Sequence, residues 1–262
     1  MRVVSLVPSV TETLLGWDVE PVAVTRFCEH PELTQVGGTK DPDVAAIVGL
    51  APDLVVVCEE ENRAADAVAL QAAGLAVHVV RIDSVADVAP QLDRLAAAVG
   101  VARPDRVASI EVVPAGAGGS GAAPRPSAFV PIWRRPWMTL GGGCYGSSLL
   151  AAIGIANVFA DGLGGARVEG DGGEVDGGGV DGVALDGDPV RYPTTTLAEA
   201  RARRPDLVVA PSEPYPFGPR HVAELSAVAP VELVDGRDLF WWGIRTPAAV
   251  ARLRERLADW SA

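Results

Sequence analysis

The sequence predicts an α/β protein of two parallel-sheet lobes, and three observations carry that prediction. Pro52-Asp53-Leu54-Val55-Val56 recurs as Pro205-Asp206-Leu207-Val208-Val209, 153 residues later (205 − 52). A short helical pattern runs into each copy, Pro42 to Leu50 before the first and Leu197 to Arg203 before the second. Each copy then breaks into a polar loop, Cys58-Glu59-Glu60-Glu61-Asn62 in one case and Pro211-Ser212-Glu213-Pro214-Tyr215 in the other. A helix, a tight Pro-Asp turn and a fully apolar, β-branched run make the αβ step of a parallel sheet, which is buried on both faces. Ligands of such sheets sit outside the carboxyl ends of the strands. Each lobe is therefore expected to offer a loop to a shared cleft. A chance recurrence of a common αβ turn is the competing reading.

Taken in order, Val3 to Val7 is expected as a buried strand. Pro8-Ser9 turns the chain, and Ser9 with Glu12 has the spacing of a capping box for a helix over Val10 to Leu15. That strand–turn–helix would leave backbone N–H groups and the positive end of a helix dipole at Pro8-Ser9-Val10, a place for an acceptor group. An ordinary capped helix is the alternative. Pro21 to Thr25 is a second strand, with Arg26-Phe27-Cys28-Glu29-His30 the loop at its end. A helix over Val44 to Leu50 leads to the first repeat strand. A helix over Arg63 to Ala73 ends at Gly74, a strand over Leu75 to Ile82 follows, and Ser84 caps the next helix with Asp87 at its third position. That helix is interrupted around Gly100-Pro104, resumes from Pro104 to Val113, and stops at Pro114. Ala115 to Pro126, rich in Gly, Ala and Pro, is expected as a flexible link.

The second half opens with a strand over Ala128 to Ile132 that ends in Trp133-Arg134-Arg135-Pro136-Trp137. Gly141-Gly142-Gly143 is a turn and fits neither phosphate-loop pattern. Ser147 or Ser148 caps a helix over Leu149 to Ile153, and Asn157 to Phe159 is a short strand. Asp161 to Asp188 is dominated by Gly and Asp and has too few large apolar side chains to offset its ordering entropy, so a disordered insertion is expected. It is similar to calcium-binding nonapeptide arrays, but the period is not kept. Beyond the second repeat strand, His221 to Ser226 is helical with His221 on the polar side. Val231 to Val234 is the last strand, and Pro247 opens the closing helix through Val250, Leu253 and Leu257. The domain division is 1–83 for the first lobe, 84–126 for helix and linker, and 127–262 for the second lobe with its insertion at 161–188.

Composition bounds the function. Hydrophobic residues make up 48%, enough for a substantial core. The net charge of −12 argues against a nucleic-acid or anionic-membrane surface, because phosphate binding needs clustered cations. Cys28, Cys58 and Cys144 are odd in number and far apart, so neither a zinc site nor a disulfide framework is expected. The apolar run Val3 to Val7 is too short for a signal-peptide core and no window has the length of a membrane span. A cytoplasmic location is expected as the chain is written, and an extracytoplasmic one if the true start lies upstream. A monomer without resident cofactor is expected.

No catalytic constellation is present: there is no nucleophile elbow and no H-E-x-x-H. Only 5% of the chain is aromatic, yet Phe27, Trp133, Tyr215, Phe217, Phe240, Trp241 and Trp242 all fall at expected strand ends. Aromatics in loops at one edge of a sheet suit a large, flat, apolar ligand held by stacking. Arg134, Arg135 and Arg245 add donors for carboxylate or phosphate groups. Some of these aromatics instead seal the lobe interface, Trp137 and Phe240 first.

Arg2-Val3-Val4-Ser5-Leu6-Val7-Pro8-Ser9-Val10-Thr11-Glu12, the two Pro-Asp strands and Gly154-Ile155-Ala156-Asn157-Val158-Phe159 together resemble the periplasmic binding proteins for cobalamin, haem and iron–siderophores. These are the helical-backbone metal receptors, and the cobalamin-binding branch is the nearest. The resemblance implies two α/β lobes joined by one long helix, a metal-containing ligand between them, and delivery to the permease of an ABC importer. By position it implies ligand contacts from Pro8, Ser9, Phe27, Cys58, Glu59, Trp133, Arg134, Trp241 and Trp242, to which the loop residues Tyr215, Phe217 and Arg245 are added. Three departures from the family are expected: no export signal at the start as written, an interrupted connecting helix, and Ala64 where the docking glutamate aligns. Two other readings stand beside a binding protein. One is a metal-chelate or corrinoid-handling enzyme with His30 and Glu59 as its metal-binding pair. The other is a ligand-sensing interaction protein.

Overall fold

The computed structural model describes residues 1–101, 125–161 and 191–261. The expected helix over Pro104 to Val113, nearly all of the linker and the insertion beyond Asp161 lie outside them. The described residues divide into two compact units. The first holds Met1–Ile82, the body of the connecting helix and Trp241–Pro247; the second holds Asp83–Val85, residues 125–240 and the C-terminal segment.

In the first unit the chain runs β1 (Val3–Ser5), α1 (Pro8–Gly16), β2 (Ala23–Val24), α2 (Val44–Gly49), β3 (Leu54–Cys58), α3 (Ala64–Ala72), β4 (Val77–Val80) and α4 (Val85–Val99). The sheet order is β2-β1-β3-β4 and every pairing is parallel. All five residues of β3 are buried, as a central parallel strand requires. Val55 and Val57 of β3 meet Val4, Leu6, Ile47 and Leu70 in one apolar cluster. The capping box expected at Ser9 is not formed. Pro8 has the fixed φ suited to a first helical turn, so α1 starts at Pro8 and its N-cap is Val7, which carries no capping side chain. At the far end α4 stops at Gly100, whose φ of 72° closes the helix with Val101 N–H donating to Ala96 O (3.1 Å).

The second unit contains β5 (Ser127–Phe129), β6 (Pro131–Trp133), β7 (Trp137–Thr139), α5 (Tyr145–Ala152), β8 (Ala156–Asn157), β9 (Thr194–Thr195), α6 (Leu197–Ala202), β10 (Leu207–Pro211), α7 (Pro219–Leu225), β11 (Val231–Val234), α8 (Gly236–Phe240), α9 (Thr246–Arg256) and α10 (Ala258–Ser261). Its main sheet has the order β11-β10-β5-β8, again all parallel. In chain order within each unit both sheets read second, first, third, fourth. The strand expected over Ala128 to Ile132 is in fact two. β5 stays in the parallel sheet, and after Val130 the chain bends into β6, which pairs antiparallel with β7 and so removes itself from the main sheet. The cap expected at Ser147 or Ser148 is also absent: α5 starts at Tyr145 behind Cys144. Ser147 Oγ bonds the Gly141 carbonyl instead, and Ser148 Oγ accepts from Val85 N–H (3.1 Å). The glycine turn is needed because a Cβ on Gly142 would sit 2.0 Å from the Ala160 carbonyl oxygen.

The repeat is structural as well as sequential. Asp43 and Thr196, in matching positions, cap α2 and α6 by accepting from Ala46 N–H (2.9 Å) and Glu199 N–H (3.1 Å). Ala51 and Arg204 leave those helices in the left-handed region, with φ of 45° and 51°. The Pro-Asp aspartates then clasp the start of the neighbouring strand. Asp53 N–H donates to Arg2 O (2.8 Å) while its carboxylate accepts from Arg2 N–H (2.6 Å). Asp206 does the same with Ser127, at 2.8 and 2.7 Å, and also accepts from the Ser127 hydroxyl (2.8 Å). A two-way bond of this kind fixes the register of the central strand pair at its amino end. No helix among the described residues is long and apolar enough to cross a membrane.

Candidate functional site

In both sheets the chain reverses its direction of winding between the first and third strands, β1 and β3 in one unit, β5 and β10 in the other. Loops at the carboxyl ends of those strands border a crevice where open α/β sheets take ligands. In the second unit they are the β6–β7 hairpin and the loop after β10. These bring together Trp133 and Tyr215, edge to face with ring centroids 5.7 Å apart. Tyr215 lies 4.7 Å from Phe217, and Phe217 stacks on Trp137 at 6.0 Å with the rings only 6° from parallel. The series grades from core to surface. Phe217 is buried and joins the cluster of Phe129, Val208 and Leu225, whereas Tyr215 and Trp133 are half-buried. Phe217 is thus a buried support for the other rings. Trp137, expected to seal an interface, is occupied inside this unit by its stack on Phe217.

His221 backs the same cluster, with ring centroids 5.5 Å from Tyr215 and 5.4 Å from Phe217. It was expected on the polar side of α7, but it is 4% exposed. Its Nδ1 accepts from Gly218 N–H (3.1 Å) and its Nε2 faces Arg220 Nε (3.3 Å), which places the ring at the amino end of α7. Burial, then the guanidinium groups of Arg220 and Arg134, hold its pKa below the ordinary imidazole value. The readable signal was Gly218-Pro219, a helix start that puts His221 at the third helical position, where it caps rather than faces solvent. Arg134 is not a free cation. It grips Glu224 with Nε and Nη2 at 3.0 and 3.4 Å, and this carboxylate, with help from Tyr215, raises its pKa.

The first unit arranges its residues differently. Trp241, Trp242 and Arg245 were assigned by chain position to the second lobe, but their segment clusters with the first unit, where it lies on α1. Arg245 sits 5.4 Å from the Trp241 ring and 3.3 Å from Glu12. Gly243 has φ of 121° and approaches α1 so closely that a Cβ would meet Thr13 Oγ1 at 2.3 Å. Trp242 is buried and Trp241 half-buried. Pro8 and Ser9, in the first turn of α1, are buried too. Phe27 is half-buried beneath Arg26, whose guanidinium is 4.8 Å from its ring and is held by Asp41. Cys58 is 2% exposed, and burial, reinforced by Glu61, pushes its thiol far above the usual range, so it is a strand-end core residue without nucleophilic character. Glu59 is exposed and pairs with Arg81 (3.5 Å).

The matching loop of the first unit carries Asn62 where the second carries Tyr215. Asn62 is buried, accepts from Cys58 N–H (2.7 Å) and donates to the carbonyls of Leu6 (3.1 Å) and Thr39 (2.9 Å). One copy of the repeat therefore ends in a ring available for stacking, and the other in an amide that ties three loops together. His30 and Glu59 do not form a metal pair: His30 bonds Glu32 at 2.8 Å and Glu59 faces Arg81.

No family model matches the chain, and no curated protein matches it in sequence. Solved structures do. The periplasmic vitamin B12 binding protein BtuF of Vibrio cholerae superposes with a TM-score of 0.71 at 18% identity, covering 98% of this chain and 96% of its own. The periplasmic heme-binding protein RhuT from Roseiflexus sp. RS-1 gives 0.71 at 18%, covering 100% and 99%. The periplasmic heme-binding protein BhuT, solved with two hemes, gives 0.69 at 19%, covering 100% and 99%. The chain has the fold of these periplasmic binding proteins.

Proposed function

We propose that the chain is a substrate-binding protein of the ABC-importer type that takes a corrinoid, or another metal chelate such as haem or a ferric siderophore. The observation that carries this reading is the graded aromatic series at the carboxyl end of the second unit's parallel sheet. Trp133 and Tyr215 offer apolar ring surface at the crevice position, and Phe217 and Trp137 hold them from behind. Such a platform suits a broad, flat macrocycle. The fold neighbours, which are vitamin B12 and heme binding proteins, support the same ligand class. A corrinoid comes first among the candidates. Arg134 and Arg245 already face Glu224 and Glu12, so the acidic substituents of haem would compete with an internal carboxylate for each arginine. The neutral amides that rim a corrinoid do not need those cations.

The reading includes no catalysis and puts the protein outside the cytoplasm, in keeping with neighbours that are periplasmic. An importer permease is the proposed partner. Arg63, beside Ala64 where the family carries its docking glutamate, is taken up by Asp66 through two contacts of 2.9 Å. A fluorescence titration tests the ligand class. Cyanocobalamin, dicyanocobinamide, haem or a ferric siderophore should quench tryptophan emission saturably, and Trp133→Ala should weaken the response. No saturable quenching by any of the four would reject the reading.

A further inference from the structure

We infer that the amino end of α1 is a subsite for an anionic oxygen, phosphate or carboxylate, with the Ser9 hydroxyl as its side-chain donor. The ligand that brings this oxygen is the one in the binding-protein reading above. The chemistry of the subsite stands on separate observations. α1 is nine residues long, no side chain caps it, and no acid lies in its first turn. The positive end of its dipole is therefore without a negative complement from its own turn. Ser9 is 2% exposed and its Oγ has no hydrogen-bond partner. The other hydroxyls of the helix are satisfied: Thr13 Oγ1 donates to Ser9 O (2.8 Å) and Thr11 Oγ1 to Ser5 Oγ (2.8 Å).

A buried hydroxyl without a partner costs free energy, so Ser9 is an unfavourable choice unless something accepts from it. Its direction agrees, since Cα–Cβ bonds of a helix tilt toward the amino end. So does its place in the fold, because α1 begins where β1 leaves the sheet at its point of reversal beside β3. The nearest acid on the helix, Glu12, faces Arg245 at 3.3 Å and so is balanced against repelling an anion.

The test has two arms. In the first, inorganic phosphate is titrated into the isotope-labelled protein and amide shifts are followed. The Ser9 and Val10 amides should move saturably, and Ser9→Ala should weaken that response about tenfold, the usual worth of a hydrogen bond to a charged group. Absence of a shift at these amides, or a response unchanged in Ser9→Ala, overturns the inference. In the second arm, cyanocobalamin, which carries a phosphodiester, is compared with dicyanocobinamide, which has lost it. Ser9→Ala should weaken the first and leave the second unaltered; equal effects on both would overturn the inference. Thermal melts accompany both arms. The unliganded variant should melt no lower than the parent, which separates a lost donor from a damaged fold. A phosphate response with no saturable binding of cyanocobalamin, dicyanocobinamide, haem or a ferric siderophore would keep the subsite and reject the importer reading; corrinoid binding with no Ser9 effect would do the reverse.

Discussion

The repeated aspartate clasp makes a quantitative prediction. Asp206→Ala removes a carboxylate that accepts from Ser127 N–H at 2.7 Å and Ser127 Oγ at 2.8 Å. Hydrogen bonds to a charged acceptor contribute roughly 1.5–3 kcal/mol each when buried. Asp206 is exposed and Ser127 half-buried, so water replaces part of what is lost. A loss of about 1–2 kcal/mol for the pair follows. The matching Asp53→Ala removes one such bond, from Arg2 N–H at 2.6 Å, between two exposed residues, and should cost about 0.5–1 kcal/mol. The order is the sharper prediction: the second-unit clasp is worth more than the first. Urea unfolding of both variants, with Ser127→Ala to isolate the hydroxyl leg, measures it. Adding Asp206→Ala to Ser127→Ala should cost less than Asp206→Ala does alone, because one leg is already gone. A smaller loss for Asp206→Ala than for Asp53→Ala would refute the reasoning that these contacts set the strand register.

Three further outcomes follow from the geometry. Trp133→Ala should cost only about 1 kcal/mol of stability, because the ring is half-buried and edge-on to Tyr215, yet weaken ligand binding at least tenfold; parallel melts and titrations separate the two. Gly243→Ala forces a left-handed φ of 121° and a Cβ 2.3 Å from Thr13 Oγ1, and should destabilise by about 2–4 kcal/mol, with Thr13→Ala restoring part of the loss in the double variant. The His221 ring is held neutral when folded, so its contribution is intact above the ordinary imidazole value. It falls away as the pH drops through that value toward the depressed folded pKa, because the unfolded chain then binds the proton that the folded one refuses. Melting temperature should drop between about pH 7 and pH 5, and less steeply in His221→Gln.

How far the sequence could be read follows from where its signals are local. The Pro-Asp repeat is a local signal, and it located β3 and β10, the helices before them and the parallel sheets around them. The last strand, Val231–Val234, was bounded by turn residues on both sides. Ser9 misled because Ser-x-x-Glu and Pro at a first helical turn are both start signals, and the two differ by two residues in where the helix begins. The fixed φ of Pro8 prevailed. Val130 divided an apparently single strand because Pro131 follows it, and which sheet each half joins depends on partners far along the chain. Trp241 and Trp242 show the same limit. Chain position assigned them to the second lobe, but Gly243 and Ile244 fit against α1, more than two hundred residues earlier. The loop positions of Trp133 and Tyr215 were legible, whereas Phe240 lies in α8 with Trp241 and Trp242 behind it and not at a strand end. Which of the aromatic residues are exposed was not legible, since the burial of Phe217 and Trp242 depends on rings and helices that composition does not place.

The most direct test of the central claim is a calorimetric titration of the protein with cyanocobalamin and, separately, haem, each repeated with Trp133→Ala. The account predicts one-to-one binding of the corrinoid, tighter than that of haem, and weakened at least tenfold by the substitution. No heat of binding with either ligand, or corrinoid binding that is indifferent to Trp133, would contradict it.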